Sequence, residues 1–217
     1  MNELFNAWAT PMVRKTTGRH DLAEALREVI LANETPDKAH PNPPQDSHSA
    51  LFESNFDFLS WQEPAVQAFK PWFYHEVGLV VQATTGFSNE KMNQLRFGCH
   101  CWFHITRAGG YFPPHNHAMA SWSAIFAVDP GDEQIDNEHE SGRVTFFDPR
   151  FGANMYLDAA NRAWDPVTNF NSKRFRLEPT DLVVFPSYLM HSIEPYHGER
   201  PRITIAANFW FSWKTGQ

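Results

Sequence analysis

Cysteine is nearly missing from these 217 residues, with only Cys99 and Cys101 present. Two positions apart on an extended chain they share one face and cannot form an unstrained disulfide with each other. They read as reduced thiols of a cytoplasmic protein. Basic excess is missing too: 18 Lys+Arg stand against 25 Asp+Glu, for a formal net charge of -7. Such a chain has no surplus of cations to release counterions from a nucleic-acid backbone, so no nucleic-acid partner is expected. No apolar run approaches the roughly 18 residues that span a bilayer. The start, Met1-Asn2-Glu3-Leu4, has no basic region followed by an apolar stretch. Neither a membrane protein nor a secretory precursor is expected. Internal repeats and low-complexity tracts are absent as well.

What is present is apolar bulk. Hydrophobic residues make up 42% of the chain, and 19 Phe and 8 Trp outnumber 5 Tyr, enough to bury one sizeable core. The expectation is a single domain over 1–217, with 1–90 as helical and edge-strand support and 91–217 as a β core. Leu4 to Arg14 reads as an edge strand or an extended arm. A capping-box spacing at Asp21 and Glu24, followed by Leu22, Ala25, Leu26, Val29 and Ile30 at helical steps, predicts a helix over 21–32. Thr35 to Ser49 carries four Pro residues among polar ones and is expected to be a loop. A second helix is predicted between Glu63 and Ala83 from the stripe Val66, Phe69, Phe73, Val77, Val80 and Val81, kinked at Pro71.

At Leu95 the period changes. Leu95, Phe97, Cys99, Cys101, Phe103 and Ile105 alternate with Arg96, Gly98, His100, Trp102, His104 and Thr106, as a strand requires. Further strands are predicted over 121–128, 143–147, 174–177, 182–185, 191–194 and 203–213, separated by Pro, Gly, Asp and Asn. The fold class that follows is mainly β, a sandwich or barrel with two helices packed outside it.

Eleven histidines are the compositional oddity. His20, His40, His48, His75, His139 and His197 sit in polar or helical surroundings without a partner at ligand spacing. His100 and His104 lie on a strand but face away from the Leu95/Cys99 stripe, and a Cys99-His100-Cys101 zinc site fails because alternation sends His100 to the opposite face. His115-Asn116-His117 is different, because an extended His-x-His puts both imidazoles on one face and lets them converge on a metal. His191, at a strand start after the apolar run ending Phe185-Pro186, is the expected third ligand. Arg202, with the Thr204 hydroxyl two residues on along the same face, suits a carboxylate. A metal beside a carboxylate anchor implies a chelating keto acid.

From about Trp102 to Trp213 the chain resembles the 2-oxoglutarate- and Fe(II)-dependent oxygenases, most of all a bacterial and phage subgroup with prolyl-hydroxylase-like folds. The resemblance rests on His115-Asn116-His117, Ser123, Gly142 with Phe146-Phe147-Asp148-Pro149-Arg150, Asp181 to Ser187, His191, and Arg202-Ile203-Thr204 leading to Asn208-Phe209. Leu4-Phe5 to Thr10-Pro11 is also similar to the subgroup's opening. It implies a double-stranded β-helix, or jelly roll, with iron held by His115, His117 and His191. It also implies 2-oxoglutarate bound to iron and to Arg202, with conversion to succinate and CO2 and hydroxylation of a small-molecule or peptide substrate. His117 stands where the wider superfamily has Asp or Glu, and Ala124 stands where the subgroup tends to have Gly.

A second reading is a cupin, a metal-dependent dioxygenase, isomerase or small-molecule sensor that makes no use of 2-oxoglutarate. Gly109, His115, His117, Pro186 and His191 have cupin spacing, but Ser121 replaces the expected Glu and Tyr188 the expected Gly, and Arg202 and Thr204 have no role in it. A third reading is a metal-free binding protein on the same barrel. Trp102, Tyr111 and Trp122 are expected as walls of the mouth or, equally, as barrel packing. Thr35–Ser49 and the acidic Gly131–Ser141 are candidate lids, the latter favouring cationic or neutral substrates. Nothing in the sequence indicates a homo-oligomer.

Overall fold

The computed structural model describes residues 7–42, 50–132, 141–150, 152–153, 155–165 and 168–214. In chain order its elements are β1 (Val13–Thr16), α1 (His20–Ala32), β2 (Leu51–Glu53), α2 (Pro64–Thr85), α3 (Asn89–Met92), β3 (Leu95–Thr106), β4 (Phe112–His115), β5 (Trp122–Asp129), β6 (Val144–Phe146), β7 (Lys173–Phe175), β8 (Asp181–Pro186), β9 (His191–Ile193) and β10 (Arg202–Trp213). Two antiparallel sheets result, of six strands in the order β1-β8-β5-β10-β3-β2 and of four in the order β4-β9-β6-β7. This is the mainly β, double-stranded β-helix architecture expected from the sequence.

Both faces of the larger sheet are covered, and strand alternation divides the two tasks. On β5, Ala124, Phe126 and Val128 join α1 and α2 in one core, while Ile125 and Ala127 join Val144, Phe146, Leu177, Val183, Phe185 and Leu189 in a second one. A strand buried on both faces has to be apolar throughout. That is why β5 shows no polar alternation. The outer core is built by the predicted stripes, Leu22, Leu26 and Ile30 from α1 and Val66, Phe69, Phe73 and Val77 from α2, all buried. α2 begins with Pro64 at its first turn, where the missing N–H has no partner to lose, continues through Pro71, and stops at Gly86, left-handed at φ 68.

β3 and β10 pair over their full length, Arg202 opposite Thr106 through Trp213 opposite Leu95. Phe103, Ile105, Ile203, Ile205, Ala207 and Phe209 point to the helices. Their alternates Trp102, His104, Thr204, Ala206 and Asn208 line a cavity between the sheets. Of the segment 4–14, left open between strand and arm, 4–6 lie outside the described residues and 7–12 form no strand; the edge strand β1 begins only at Val13 and pairs β8. β2 was not anticipated: it follows the Pro-rich segment and pairs β3, and three residues are too few to display an alternation. Residues 43–49 of the first candidate lid and 133–140 of the second lie outside the described residues.

Candidate metal centre

Three imidazoles converge at one end of this cavity. β4 ends on His115, which pairs directly with His191 at the start of β9, and His117 follows two residues later with its backbone N–H on the Ser187 carbonyl. Ring centroids lie 4.2 Å apart for His115 and His191, 5.0 Å for His115 and His117, and 5.2 Å for His117 and His191. One ring nitrogen from each comes within 4.8 Å of the others. His191 is held by rings on both sides, Phe146 at 5.7 Å and Phe185 at 4.9 Å.

Backbone carbonyls fix the tautomers. The Nδ1–H of His115 is placed to donate to the Pro113 carbonyl at 2.8 Å, and that of His191 to the Leu189 carbonyl at 3.0 Å. Each then presents Nε2 as a lone pair, the usual way in which a metal-ligating imidazole is oriented from behind. Burial and the neighbouring imidazoles push His191 down to about 3 and His117 down to about 4, and burial lowers His115 as well. All three are therefore neutral lone-pair donors at neutral pH. A borderline divalent cation is what such a nitrogen set accepts.

A buried cation stands close to this cavity. Thr204 lines it, and Arg202 stands two residues earlier on the same face of β10, only 3% exposed. Nη2 of Arg202 is buried with no hydrogen-bond partner among the described residues, and burial pulls the guanidinium down to about 10. An unpaired buried donor costs roughly 1–3 kcal/mol and more when charged, and an anion is the partner that would offset it. Gly142 makes the room: at φ +62 it is left-handed, and a Cβ there would stand 3.2 Å from Arg202 Cδ.

The cavity, of about 370 Å³, thus takes in His115, His117, His191 and Thr204, with Arg202 behind Thr204. Ser123 crosses its floor, donating to Asn208 Oδ1 at 2.7 Å and bonding the Ser187 hydroxyl at 2.9 Å. Of the three expected walls only Trp102 lines it; Trp122 packs in the outer core instead. Three residues passed over in the sequence also line it, His40, Glu53 and His104. For His104 a signal existed, since it shares the face of Trp102 opposite the Leu95 stripe. For Glu53 and His40 there was none, because a three-residue strand and a lone His in a Pro-rich segment carry no periodicity.

A family model described as "Putative 2OG-Fe(II) oxygenase" matches residues 100–208. No curated protein matches this sequence. Among solved structures, a Pseudomonas putida prolyl-4-hydroxylase is 14% identical with a TM-score of 0.63, covering 95% of this chain and 94% of that one. The non-heme α-ketoglutarate-dependent epimerase SnoN from nogalamycin biosynthesis is 15% identical with a TM-score of 0.60, over 94% and 80%. HygX from Streptomyces hygroscopicus, solved with nickel and 2-oxoglutarate bound, is 12% identical with a TM-score of 0.56, over 93% and 83%. At these identities the likeness is one of fold.

Proposed function

The chain belongs to the 2OG-Fe(II) oxygenase family, and on that premise we propose that it is a hydroxylase of a small-molecule or peptide substrate, with His115, His117 and His191 holding Fe(II) and with Arg202 and Thr204 holding the far carboxylate of 2-oxoglutarate. The observation that carries this reading is the unpaired, buried Arg202 Nη2 on the same face of β10 as Thr204. When bound, such a pair supplies oxygen-dependent decarboxylation of 2-oxoglutarate to succinate and CO2, coupled to insertion of one oxygen atom into a C–H bond. Family membership covers iron and 2-oxoglutarate; the residues that hold them and the reaction on the substrate are the parts proposed.

The protein's own contribution is positioning and dryness. Pro113 and Leu189 hold two imidazoles in the Nε2-presenting tautomer. The guanidinium fork and the Thr204 hydroxyl meet a carboxylate with more geometric demand than an ammonium could. Trp102, Phe112, Phe185 and Ile193 make most of the remaining wall apolar, which keeps water from the reacting end. A cupin reading leaves the buried Arg202 without a task.

The test is twofold. Iron-loaded protein under air should convert 2-oxoglutarate slowly to succinate even without its substrate, and His191→Ala should abolish this. Calorimetry should show 2-oxoglutarate binding lost in Arg202→Ala and weakened in Arg202→Lys. Unchanged affinity in Arg202→Ala would remove the cosubstrate assignment and favour the cupin.

A further inference from the structure

The metal cluster contains no carboxylate, yet one carboxylate lines the same cavity. Among the described residues Glu53 is the only acidic side chain there, 8% exposed at the end of β2. It lies opposite His104 on β3, which in turn lies opposite Thr204 on β10. Glu53 Oε2 is 2.8 Å from His104 Nε2, and His40 Nδ1 is 3.7 Å from Oε1 while bonded to the Asn42 carbonyl at 2.8 Å. Single rings separate this pair from the metal cluster. Phe112 packs between His104 at 5.2 Å and His115 at 4.5 Å, and Trp102 between His104 at 6.3 Å and His117 at 5.7 Å.

We propose that Glu53, fixed by His104, is a positioning residue that supplies the negative charge a carboxylate ligand would otherwise bring to the metal. The inference rests on the three-histidine metal reading above. A divalent cation on three neutral imidazoles, with a dianionic keto acid and cationic Arg202, leaves one uncompensated positive charge at a cavity walled largely by apolar side chains. Glu53 cancels it. His104 Nε2 is also met by the indole Nε1 of Trp102 at 3.2 Å, which ties the pair to the cavity wall. Burial pushes the Glu53 carboxyl up, but the hydrogen bond with His104 and the imidazoles around it outweigh this and hold it below the usual carboxylate range.

A field effect and a structural effect differ in sign on cations and anions, and that decides the experiment. Metal-free full-length protein is titrated with Co(II), followed by visible absorption, and the Co(II)-loaded protein is then titrated with azide. Glu53→Gln should bind Co(II) roughly 10-fold more weakly, at the low end of what outer partners of metal ligands contribute. The same variant should bind azide more tightly than wild type, since the site is one charge more positive. Glu53→Asp, which keeps the charge, should stay close to wild type in both. If Glu53→Gln does not fold by circular dichroism, the two affinities are read on Glu53→Ser with the same expected signs. Unchanged Co(II) affinity, or Co(II) and azide both weakened, overturns the inference. Co(II) binding that survives His191→Ala overturns the metal-centre reading beneath it, a separate result.

Discussion

Replacing Arg202 by Met should make the ligand-free protein more stable and deaf to 2-oxoglutarate. The guanidinium is 3% exposed, its Nη2 lacks a partner among the described residues, and burial brings it from its ordinary value down to about 10. At ~1.4 kcal/mol per pKa unit this is a cost of about 3 kcal/mol for holding the charge in the unliganded fold. The sign follows from linkage: the folded value lies below the unfolded one, so the unfolded chain holds the proton more tightly. The cost is then constant below about pH 10 and is relieved only as pH rises above that toward the ordinary guanidinium value. At pH 7.5 all of it is present. Methionine keeps an unbranched arm that fills the channel beside Gly142 without a charge to desolvate. For a chain of this length each kcal/mol moves Tm by roughly 2–4 °C, so ligand-free Arg202→Met should melt about 6–12 °C higher than wild type. Saturating 2-oxoglutarate at 100 times Kd should add about 2.7 kcal/mol to nickel-loaded wild type and nothing to the variant. Thermal melts of both proteins with and without ligand provide the four numbers. A ligand-free variant that melts below wild type, or one that gains as much from 2-oxoglutarate, refutes the reasoning.

Other perturbations separate site from scaffold. Alanine at His115, His117 or His191 should remove most bound iron while leaving the circular dichroism spectrum in place; full metal occupancy in His115→Ala/His191→Ala, by elemental analysis, would put the site elsewhere. Gly142→Ala forces a Cβ into a left-handed residue 3.2 Å from Arg202 Cδ, so 2-oxoglutarate affinity should fall along with about 1 kcal/mol or more of stability; wild-type calorimetry for that variant would count against Arg202. Asp181 is fully buried, accepting from Arg14 at 2.7 Å, Thr16 at 2.7 Å and the Glu178 N–H at 3.0 Å; Asp181→Ala should cost about 3–5 kcal/mol in urea at pH 7. Burial raises its carboxyl but these donors outweigh it, leaving it lowered, so its stabilisation stands at neutral pH and is lost as pH falls below the ordinary carboxylate range; the gap between wild type and Asp181→Ala should close in acid. Phe73→Ala, in the outer core, should cost about 3–5 kcal/mol with 2-oxoglutarate affinity unchanged.

How much of this was legible depends on whether an element shows a period. β3 was read residue for residue, because one face meets the helices and the other a polar-lined cavity, so Leu95 to Thr106 alternates over 12 positions. α1 and α2 were read for the same reason, each having one buried stripe and one wet face. β5 and β8 were found only by their Pro, Gly and Asp boundaries, since both their faces are buried and no alternation survives. The three histidines were legible because His-x-His encodes its own geometry. Glu53 was not, because its meaning lies in a contact with His104, 51 residues away in sequence, created by strand pairing. Short local spacings encode ligands; cross-strand neighbours wait for the register.

That register places function and stability on the same strand with opposite parity. On β10 the odd residues Ile203, Ile205, Ala207 and Phe209 belong to the outer core, while Arg202, Thr204, Ala206 and Asn208 face the other sheet. A slip of one residue against β3 would bury Arg202 under the helices and turn Ile203 into the cavity, so both cores and the anion site fail together. The pairing of all 12 residues of β10 with β3, and of Ile203 to Phe209 with β5, makes such a slip costly. The helices therefore do more than shield the sheet: by demanding apolar side chains at Ile203, Ile205, Ala207 and Phe209 they fix which side chains of β10 can reach the metal-side cavity. Apart from the charged Arg202, substitutions at the even positions are expected to alter binding with small changes in Tm, and those at the odd positions to lower Tm first.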